Sequence, residues 1–189
     1  MNFPTYVKIP KARIGVLIGK RGKVKKEIER LTQTKLEINS EDGQVKITLR
    51  EDAIDPLGLL KAKAIVQAIG RGFNPEKAMR LIEDDTVMEI INIEDFASTK
   101  NSLIRLKGRI IGENGRARRI IEESTGADIS IYGHTVAIIG TVDEVYAAKQ
   151  AILMLLQGAQ HGTVYKFLRR YKYNLRKREL ERLSKRETL

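Results

Sequence analysis

Two short turns, each bounded by a pair of glycines, are the parts of this sequence best suited to chemistry. The first is Gly-Lys-Arg-Gly at residues 19–22, and the second is Gly-Glu-Asn-Gly at residues 112–115. Each turn follows an apolar run and precedes residues with helical spacing, so each is predicted to join two helices. The start of the second helix then presents unpaired N–H groups and the positive end of the helix dipole, which together favour a phosphate group.

The two turns belong to a larger internal repeat. An offset of 93 residues pairs Gly15 with Gly108 and Ile18 with Ile111, and it continues beyond each turn. Further along, the offset falls to 87, so the first copy carries a net insertion of six residues between its strand pair and its last helix. Two copies of one fold are the simplest explanation, and 189 residues are enough for two small modules.

Positive charge is concentrated in two segments. The net charge of +11 divides into +7 for residues 1–74, −3 for residues 75–160 and +7 for residues 161–189. Because phosphate attracts cations, we expect the first copy and the C-terminal segment to lie near nucleic acid. The middle of the chain is left for another role.

Composition argues against several classes of function. The sequence has no cysteine and two histidines, which excludes disulfides, thiolate metal sites and a histidine cluster. No apolar run approaches the roughly 18 residues of a membrane span, so we expect a soluble, cytoplasmic protein without metals or cofactors. No nucleophile–base pair or carboxylate cluster is present, and a P-loop would require Ser or Thr in place of Arg21. We therefore do not expect an enzyme.

Residue periodicity predicts the same order of elements in each copy: strand, helix, helix, strand, strand, helix. In the first copy, Val24, Ile28 and Leu31 are predicted to form the buried face of the second helix, and Asp55 and Pro56 are predicted to open the third. The predicted organisation is a first module at residues 1–74, a linker helix at 75–85, a second module at 86–160 and a basic amphipathic helix or tail at 161–189.

With glycine turns in this element order, the chain resembles the KH family in its type I form. The resemblance implies an α+β fold with three-stranded sheets, in which the Gly-x-x-Gly loop clamps single-stranded RNA or DNA against a groove. Carried over by position, the first groove consists of Ile14, Leu17, Ile18, Gly19, Lys20, Arg21, Gly22, Lys23, Lys26, Leu36 and Ile38. Apolar walls with few aromatic residues imply that base edges are read without extensive stacking.

The second copy departs from the first at the tip of its loop. Glu113 places a carboxylate where a phosphate would approach, although arginines follow immediately. Two interpretations remain open: the arginines offset Glu113 and the groove binds RNA, or this copy has turned towards a protein partner. Its candidate RNA-binding residues are Gly112, Glu113, Asn114, Gly115, Arg116 and Arg119.

Across nearly the whole chain, the two KH copies, the linker at 75–82 and the tail at 161–168 together look like the archaeal form of the small-subunit assembly factor family known as partner of Nob. This resemblance implies binding near the 3′ end of small-subunit ribosomal RNA during its maturation, and association with a Nob-type endonuclease. The main rival hypothesis is a protein-interaction scaffold that docks a nuclease or translation factor and binds RNA only non-specifically. A weaker rival is an adaptor in RNA decay or transcription.

Overall fold

The first copy folds into the predicted order of elements in the computed structural model, which describes residues 3–186. Its elements are β1 Thr5–Lys8, α1 Lys11–Ile18, α2 Lys23–Thr32, β2 Thr34–Ile38, β3 Gln44–Leu49 and α3 Gly58–Gly70. The strands form an antiparallel sheet in the order β1-β3-β2. Val45 and Ile47 alternate along the central strand and are fully buried, because the helices cover one face of the sheet.

The second copy repeats this arrangement. Its elements are β4 Thr86–Asn92, α5 Lys100–Ile111, α6 Arg116–Thr125, β5 Asp128–Tyr132, β6 Thr135–Thr141 and α7 Val142–Leu156. The strand order is β4-β6-β5, again antiparallel. Its second helix ends at a left-handed glycine, since Gly126 follows α6 with φ of 86°.

Two further helices lie outside the repeated units. The linker forms α4 Pro75–Ala78 and continues as a 3₁₀ turn through residues 79–82. Its start follows the sequence signal, because Asn74 Oδ1 accepts the Lys77 N–H at 2.9 Å and proline occupies the first helical position. Helix α8 His161–Arg186 follows the second module; residues 187–189 of the predicted tail lie outside the described residues. No helix within 3–186 has the length and hydropathy to cross a membrane.

The buried face of α2 differs from the prediction by one residue. Leu31 is 37% exposed, whereas Thr32 is 2% exposed. Thr32 completes a stripe with Val24 and Ile28 at intervals of four residues, and its Oγ1 lies 2.7 Å from the Ile28 carbonyl oxygen and 2.8 Å from Thr34 Oγ1. These hydrogen bonds offset the free-energy cost of burying the hydroxyl. The prediction that Leu31 is a core residue is therefore wrong.

The third helix of the first module begins later than predicted. Asp55 and Pro56 lie in a turn, in which Asp55 Oδ1 accepts the Leu57 N–H at 2.9 Å, and α3 starts at Gly58. The turn belongs to residues 50–57, which separate β3 from α3. In the second module β6 leads directly into α7. Part of the insertion lies earlier, because six residues separate the paired Ile38 and Val45 whereas four separate the equivalent Ile131 and Val136. Two inserted residues therefore fall in the β2–β3 turn, and the rest fall in this connection.

The second sheet is covered on both faces. Every residue of β6 from 135 to 140 is buried. Its Ala137 and Ile139 side chains belong to the hydrophobic core of the first module, while Val136 and Ile138 face the core of the second. Ser130 Oγ on β5 also donates a hydrogen bond to the Arg71 carbonyl at 2.9 Å. The two modules therefore form one continuous packed unit.

Charged side chains fasten the linker to the second module. Arg80 contacts Asp128 at 2.6 Å and Glu144 at 3.4 Å, and Lys77 contacts Asp128 at 2.7 Å. Partial burial disfavours the charged forms of the two cations, but the neighbouring carboxylates outweigh it and raise the pKa of both Arg80 and Lys77. The linker is thus held by hydrogen-bonded ion pairs as well as by apolar packing.

Two equivalent glycines test how much the contact between modules contributes to stability. Gly72 and Gly158 both follow the last helix of their module, with φ of 97° and 96°. A Cβ at Gly72 would lie 2.7 Å from Ser130 Oγ and 2.8 Å from Tyr132 Cβ, whereas a Cβ at Gly158 meets no atom within 4 Å. Both alanine variants incur backbone strain of about 1–2 kcal/mol.

We expect Gly72→Ala to lower the free energy of unfolding by about 1–3 kcal/mol more than Gly158→Ala, because only the former overpacks the contact between modules. Urea unfolding followed by circular dichroism measures the difference. Equal losses for the two variants would mean that the contact at Gly72 adds nothing to stability.

Candidate nucleic-acid interface

The two glycine turns have the same backbone conformation. Gly19 and Gly112 have φ/ψ of 70°/173° and 73°/174°. Two residues later, Arg21 and Asn114 lie in the left-handed region at 54°/30° and 51°/29°. The closing glycines have values of 74°/14° and 75°/13°. The repeat in the sequence is therefore a repeat of one precise loop geometry.

The first and last glycines of each loop are required for different reasons. A Cβ at Gly19 would lie 2.4 Å from Val24 Cγ2, and a Cβ at Gly112 would lie 2.6 Å from Ala117 Cβ. At Gly22 and Gly115 no atom lies within 4 Å of the Cβ position. The first glycine therefore allows the loop to pack on the following helix, while the last combines positive φ with an open surface that a ligand backbone can approach.

A third pair of glycines lies on the helices that precede the loops. Gly15 and Gly108 are exposed, have ordinary helical φ, and have no atom within 4 Å of the Cβ position. Glycine inside a helix costs roughly 0.5–1 kcal/mol relative to alanine. Neither steric contact nor backbone conformation explains why both positions are glycine despite that cost. The feature that the two helices share is the flat surface left where a side chain is missing.

The first loop carries cations whose charge is not neutralised by the protein. Lys20, Arg21, Lys23, Lys26 and Arg30 line a shallow cavity of about 540 Å³ together with Glu27. Among these described cations, only Arg30 has a carboxylate within ion-pair distance, at 2.7 Å from Glu27 Oε1. The hydrogen bond from Arg30 lowers the pKa of Glu27. Four cations are thus available around the N-terminus of α2, where the helix dipole adds to their field.

The second loop has a weaker positive field. Arg118 is paired with Glu122 at 3.5 Å. Arg119 donates a long hydrogen bond of 3.4 Å to the Asn114 carbonyl, so its guanidinium group is engaged by the loop itself. Arg116 is the first residue of α6, and Glu113 adds a negative charge to the loop that precedes it. The structure therefore brings the predicted residues of this loop together but gives them less net charge than the first loop.

Burial divides the predicted groove residues of the first module into two groups. Leu17 and Leu36 are fully buried, and Ile14 is 7% exposed, so these three side chains belong to the core. Ile18 and Ile38 are half-buried and reach the surface. A side chain buried in the core offers no surface to a ligand, so we expect Ile18 and Ile38 to form the exposed part of the groove wall, with the three core side chains behind them.

Sequence reasoning missed an apolar stripe in the second module. Ile104 is 67% exposed and Ile111 is 37% exposed, and both lie on α5 with Gly108 at spacings of four and three residues. Lys107, next to Gly108, donates a 2.8 Å hydrogen bond from Nζ to the Gly133 carbonyl and so links α5 to the turn between β5 and β6. The helical spacing was the available signal, but apolar residues at that spacing ordinarily form core.

An arginine anchors each of the helices that precede the loops. Arg13 on α1 donates to the Ile69 carbonyl at 2.8 Å and to the Phe73 carbonyl. Arg109 on α5 donates to the Leu155 and Ala159 carbonyls. Both guanidinium groups therefore bind the C-terminal end of the last helix of their module, where carbonyl groups and the helix dipole favour a cation. The arginines fix where each loop begins.

Helix α8 is linked to the second loop through α5. His161 Nε2 lies 2.8 Å from the Arg109 carbonyl oxygen, two residues before α5 ends. Val164 and Leu168 on α8 are fully buried in the core of the second module. The start of α8 is thus part of the scaffold that positions the second loop.

Comparison with known proteins identifies the family. Residues 4–68 match a model described as KH domain, and residues 87–173 match one described as eukaryotic type KH-domain, KH-domain type I. A KH domain-containing protein of Methanocaldococcus jannaschii is 53% identical over 175 residues, which cover 93% of this chain and 77% of that protein. This chain belongs to the KH-domain family. The predicted α+β fold of two type I KH domains is therefore confirmed.

Two further relatives place the chain within the family. The pre-rRNA-processing protein pno1 of Emericella nidulans is 27% identical over 91% of this chain and 68% of its own length. A chain in the crystal structure of the a/eIF2alpha-aDim2p-rRNA complex from Pyrococcus horikoshii OT3 superposes with a TM-score of 0.87 at 52% identity, covering 92% of this chain and 96% of that one. The chain falls in the tandem-KH branch that contains pno1 and Dim2p.

The conformation of Arg21 generates a prediction about stability. Its φ of 54° is unfavourable for arginine, whereas asparagine adopts this region more readily and occupies the same position in the second KH domain. We expect Arg21→Asn to raise the free energy of unfolding by about 0.5–1 kcal/mol, measured by urea titration. Lys20→Asn, which removes the same charge at a residue without positive φ, is the control. An equal gain from both variants would attribute the effect to charge instead of strain.

Proposed function

We propose that this chain binds single-stranded RNA through the loop of its first KH domain and acts without catalysis in the maturation of small-subunit ribosomal RNA. The observation that carries the proposal is the first loop, which combines an open surface at Gly22 with four cations that have no carboxylate partner among the described residues. Backbone N–H groups at the start of α2 complete a site for one or two phosphates.

The names of the relatives support the biological setting. Two tandem-KH relatives are described as pre-rRNA-processing proteins, from Emericella nidulans and Chaetomium thermophilum. The aDim2p protein of Pyrococcus horikoshii has been crystallised in a complex that includes rRNA. We extend these roles to this chain, with the 3′ end of small-subunit ribosomal RNA as the target and the cytoplasm as the location.

In the proposed mechanism, the loop fixes the backbone and the groove reads the bases. The strand passes over Gly22 and along the smooth face of α1 at Gly15, with Lys23 and Lys26 beside its phosphates. Bases enter between α1 and β2, where Ile18 and Ile38 present apolar surface. Ile14, Leu17 and Leu36 support this wall from the core behind it and do not touch the RNA.

The second KH domain has an accessory role in this proposal. Its loop geometry matches the first, but Glu113 reduces its attraction for phosphate. Ile104 and Ile111 still offer apolar surface to a base. We propose that this domain and α8 orient the RNA, and that a Nob-type endonuclease or a translation factor binds the assembled complex.

Charge reversal in the first loop tests the proposal directly. We expect Lys20→Asp/Arg21→Asp to weaken binding to a single strand copied from the 3′ end of small-subunit ribosomal RNA by on the order of 100-fold, since two phosphate contacts become repulsive. Fluorescence anisotropy over a salt series measures the affinity. Lys63→Asp/Lys166→Asp is the control, because it makes the same change in net charge at exposed helical residues outside both loops.

The loop double variant and the control double variant together distinguish this function from that of a scaffold with non-specific RNA affinity. A scaffold predicts similar losses for both double variants and equal binding to the target strand and a scrambled strand, because only total charge matters. Preferential binding to the target strand, lost only in the loop variant, supports the proposal. Similar losses for both variants would refute it.

Gly15→Ala provides a test that leaves charge unchanged. The methyl group points into open space, so we expect unchanged or increased stability, by up to about 1 kcal/mol. We expect RNA affinity to fall about three- to tenfold, because the new Cβ occupies the surface on which the strand lies. Gly162→Ala in α8, another helical glycine with no atom within 4 Å of its Cβ position, controls for the helix effect.

The same substitution in the second KH domain reports on its role. If the second groove contacts RNA as proposed, Gly108→Ala lowers affinity for a strand long enough to span both domains and leaves affinity for a short strand unchanged. Unchanged affinity for both strands would remove RNA contact from the role of this groove.

A further inference from the structure

A groove opens between α3 of the first KH domain and the start of β4 in the second, and we refer to it as the α3–β4 groove. Its cavity measures about 310 Å³. Leu57, which immediately precedes α3, and Leu60 and Ala64 on α3 form one wall at spacings of three and four residues. Leu57 and Leu60 are more than half exposed, and Ile54 in the preceding connection is 87% exposed. Apolar side chains thus cluster at the surface.

The KH fold does not require these apolar side chains. Ile54 and Leu57 belong to the connection at residues 50–57, which has no counterpart between β6 and α7 of the second KH domain. The connection is nevertheless ordered, since Gln33 Oε1 accepts the Ile54 N–H at 2.6 Å. An ordered insertion that exposes a cluster of apolar side chains indicates an interaction surface.

The free edge of β4 faces the same groove. Strand β4 lies at the edge of its sheet, and the consecutive residues Thr86, Val87 and Met88 all line the cavity. Because successive side chains point to opposite faces of a sheet, a cavity that all three residues line is not confined to one face and lies beside the beginning of the strand. Among the described residues, no hydrogen bond from outside the sheet reaches the backbone of residues 87–91.

This edge lacks the protection that the two edges of the first sheet have. Strand β1 has only four residues, and β2 carries Lys35 and Glu37. Strand β4 has seven residues, and its segment from Val87 to Ile91 includes one charge. Long apolar edge strands attract additional strands, so proteins usually shorten or charge them. An unprotected edge beside an apolar cavity is suited to strand addition.

The rim of the groove is acidic. Glu83 and Asp84 line the cavity, and Asp85 follows them. Lys61 is the cation at this rim, and it is held by Asp84 at 2.7 Å and by Asp55 at 3.4 Å. Four carboxylates therefore lie at or beside the groove with one lysine, which pairs with two of them. Such a rim repels phosphate and attracts a basic ligand, which favours a protein segment over RNA.

We infer that the α3–β4 groove binds an extended segment of a partner protein, which adds as a strand to the free edge of β4 and alternates apolar with basic residues. The apolar side chains enter the cavity beside Leu57 and Leu60, and the basic ones meet the acidic rim. This site lies apart from both Gly-x-x-Gly loops, and it does not depend on the proposed RNA-binding function.

A model peptide tests the inference on the intact chain. The probe is a fluorescein-labelled peptide of about nine residues that alternates valine and lysine, a length that spans a strand such as β4. A second peptide has the same charge but carries proline at alternate positions, which removes backbone donors. We expect the first peptide to bind and the second to bind at least about tenfold more weakly, measured by anisotropy. Hydrogen exchange of the bound protein should show new protection at residues 87–91.

Variants locate the site. We expect Leu57→Ser/Leu60→Ser to weaken peptide binding by about tenfold or more, equivalent to about 1.4 kcal/mol, while RNA binding stays unchanged. Ile104→Ser, at a comparably exposed isoleucine of the second KH domain, should leave peptide binding intact. Both variants alter exposed side chains, so folding is preserved.

Three results would overturn the inference. They are equal binding of the proline peptide, an absence of protection at residues 87–91, and self-association of the wild-type chain in sedimentation that Leu57→Ser/Leu60→Ser abolishes. The last result would show that the occupant of the groove is a second copy of the chain.

Discussion

Burial of both faces of the second sheet is the constraint on which the arrangement of this molecule depends. A KH sheet has helices on one face and leaves the other open, and here the first KH domain and the linker cover that open face. Ala137 and Ile139 contribute to the core of one domain while Val136 and Ile138 contribute to the core of the other. Because the same strand serves two cores, the domains cannot separate without exposing β6. The relative position of the two loops is therefore set by packing and not by a flexible linker.

Divergence between the two KH domains has changed charge while preserving backbone geometry. The φ/ψ values of the two loops agree within a few degrees, yet the tip reads Lys-Arg in one and Glu-Asn in the other. Arg13 and Arg109 lie at different positions in the repeat, one helical turn apart, but each binds the end of the last helix of its own domain. The fold fixes where the loop lies, and a few surface residues decide what it attracts.

Electrostatic character is divided between separate surfaces. Unneutralised cations surround the first loop, whereas the rim between α3 and β4 carries an excess of carboxylates. Under our proposals, this separation lets a nucleic acid and a protein segment bind one packed unit without competing for the same charge. The position of the acidic surface next to an open strand edge results from the contact between the domains, since α3 belongs to one domain and β4 to the other.

The sequence by itself determined the repeated element order, the glycine loops and the six-residue insertion, because these depend on local periodicity and on the backbone freedom of glycine. It also identified Lys20, Arg21, Lys23 and Lys26 at the first loop, which have no carboxylate within ion-pair distance among the described residues. Only the tertiary structure decided which apolar residues are core: Leu17 and Leu36 are sealed inside, whereas Leu31, Ile104 and Leu60 remain exposed. Helical or strand spacing is the same for a residue that faces a core and for one that faces a groove. The difference lies in what packs against the residue, and contacts between distant segments, such as β6 against the first domain, are set by the assembled fold and not by local sequence.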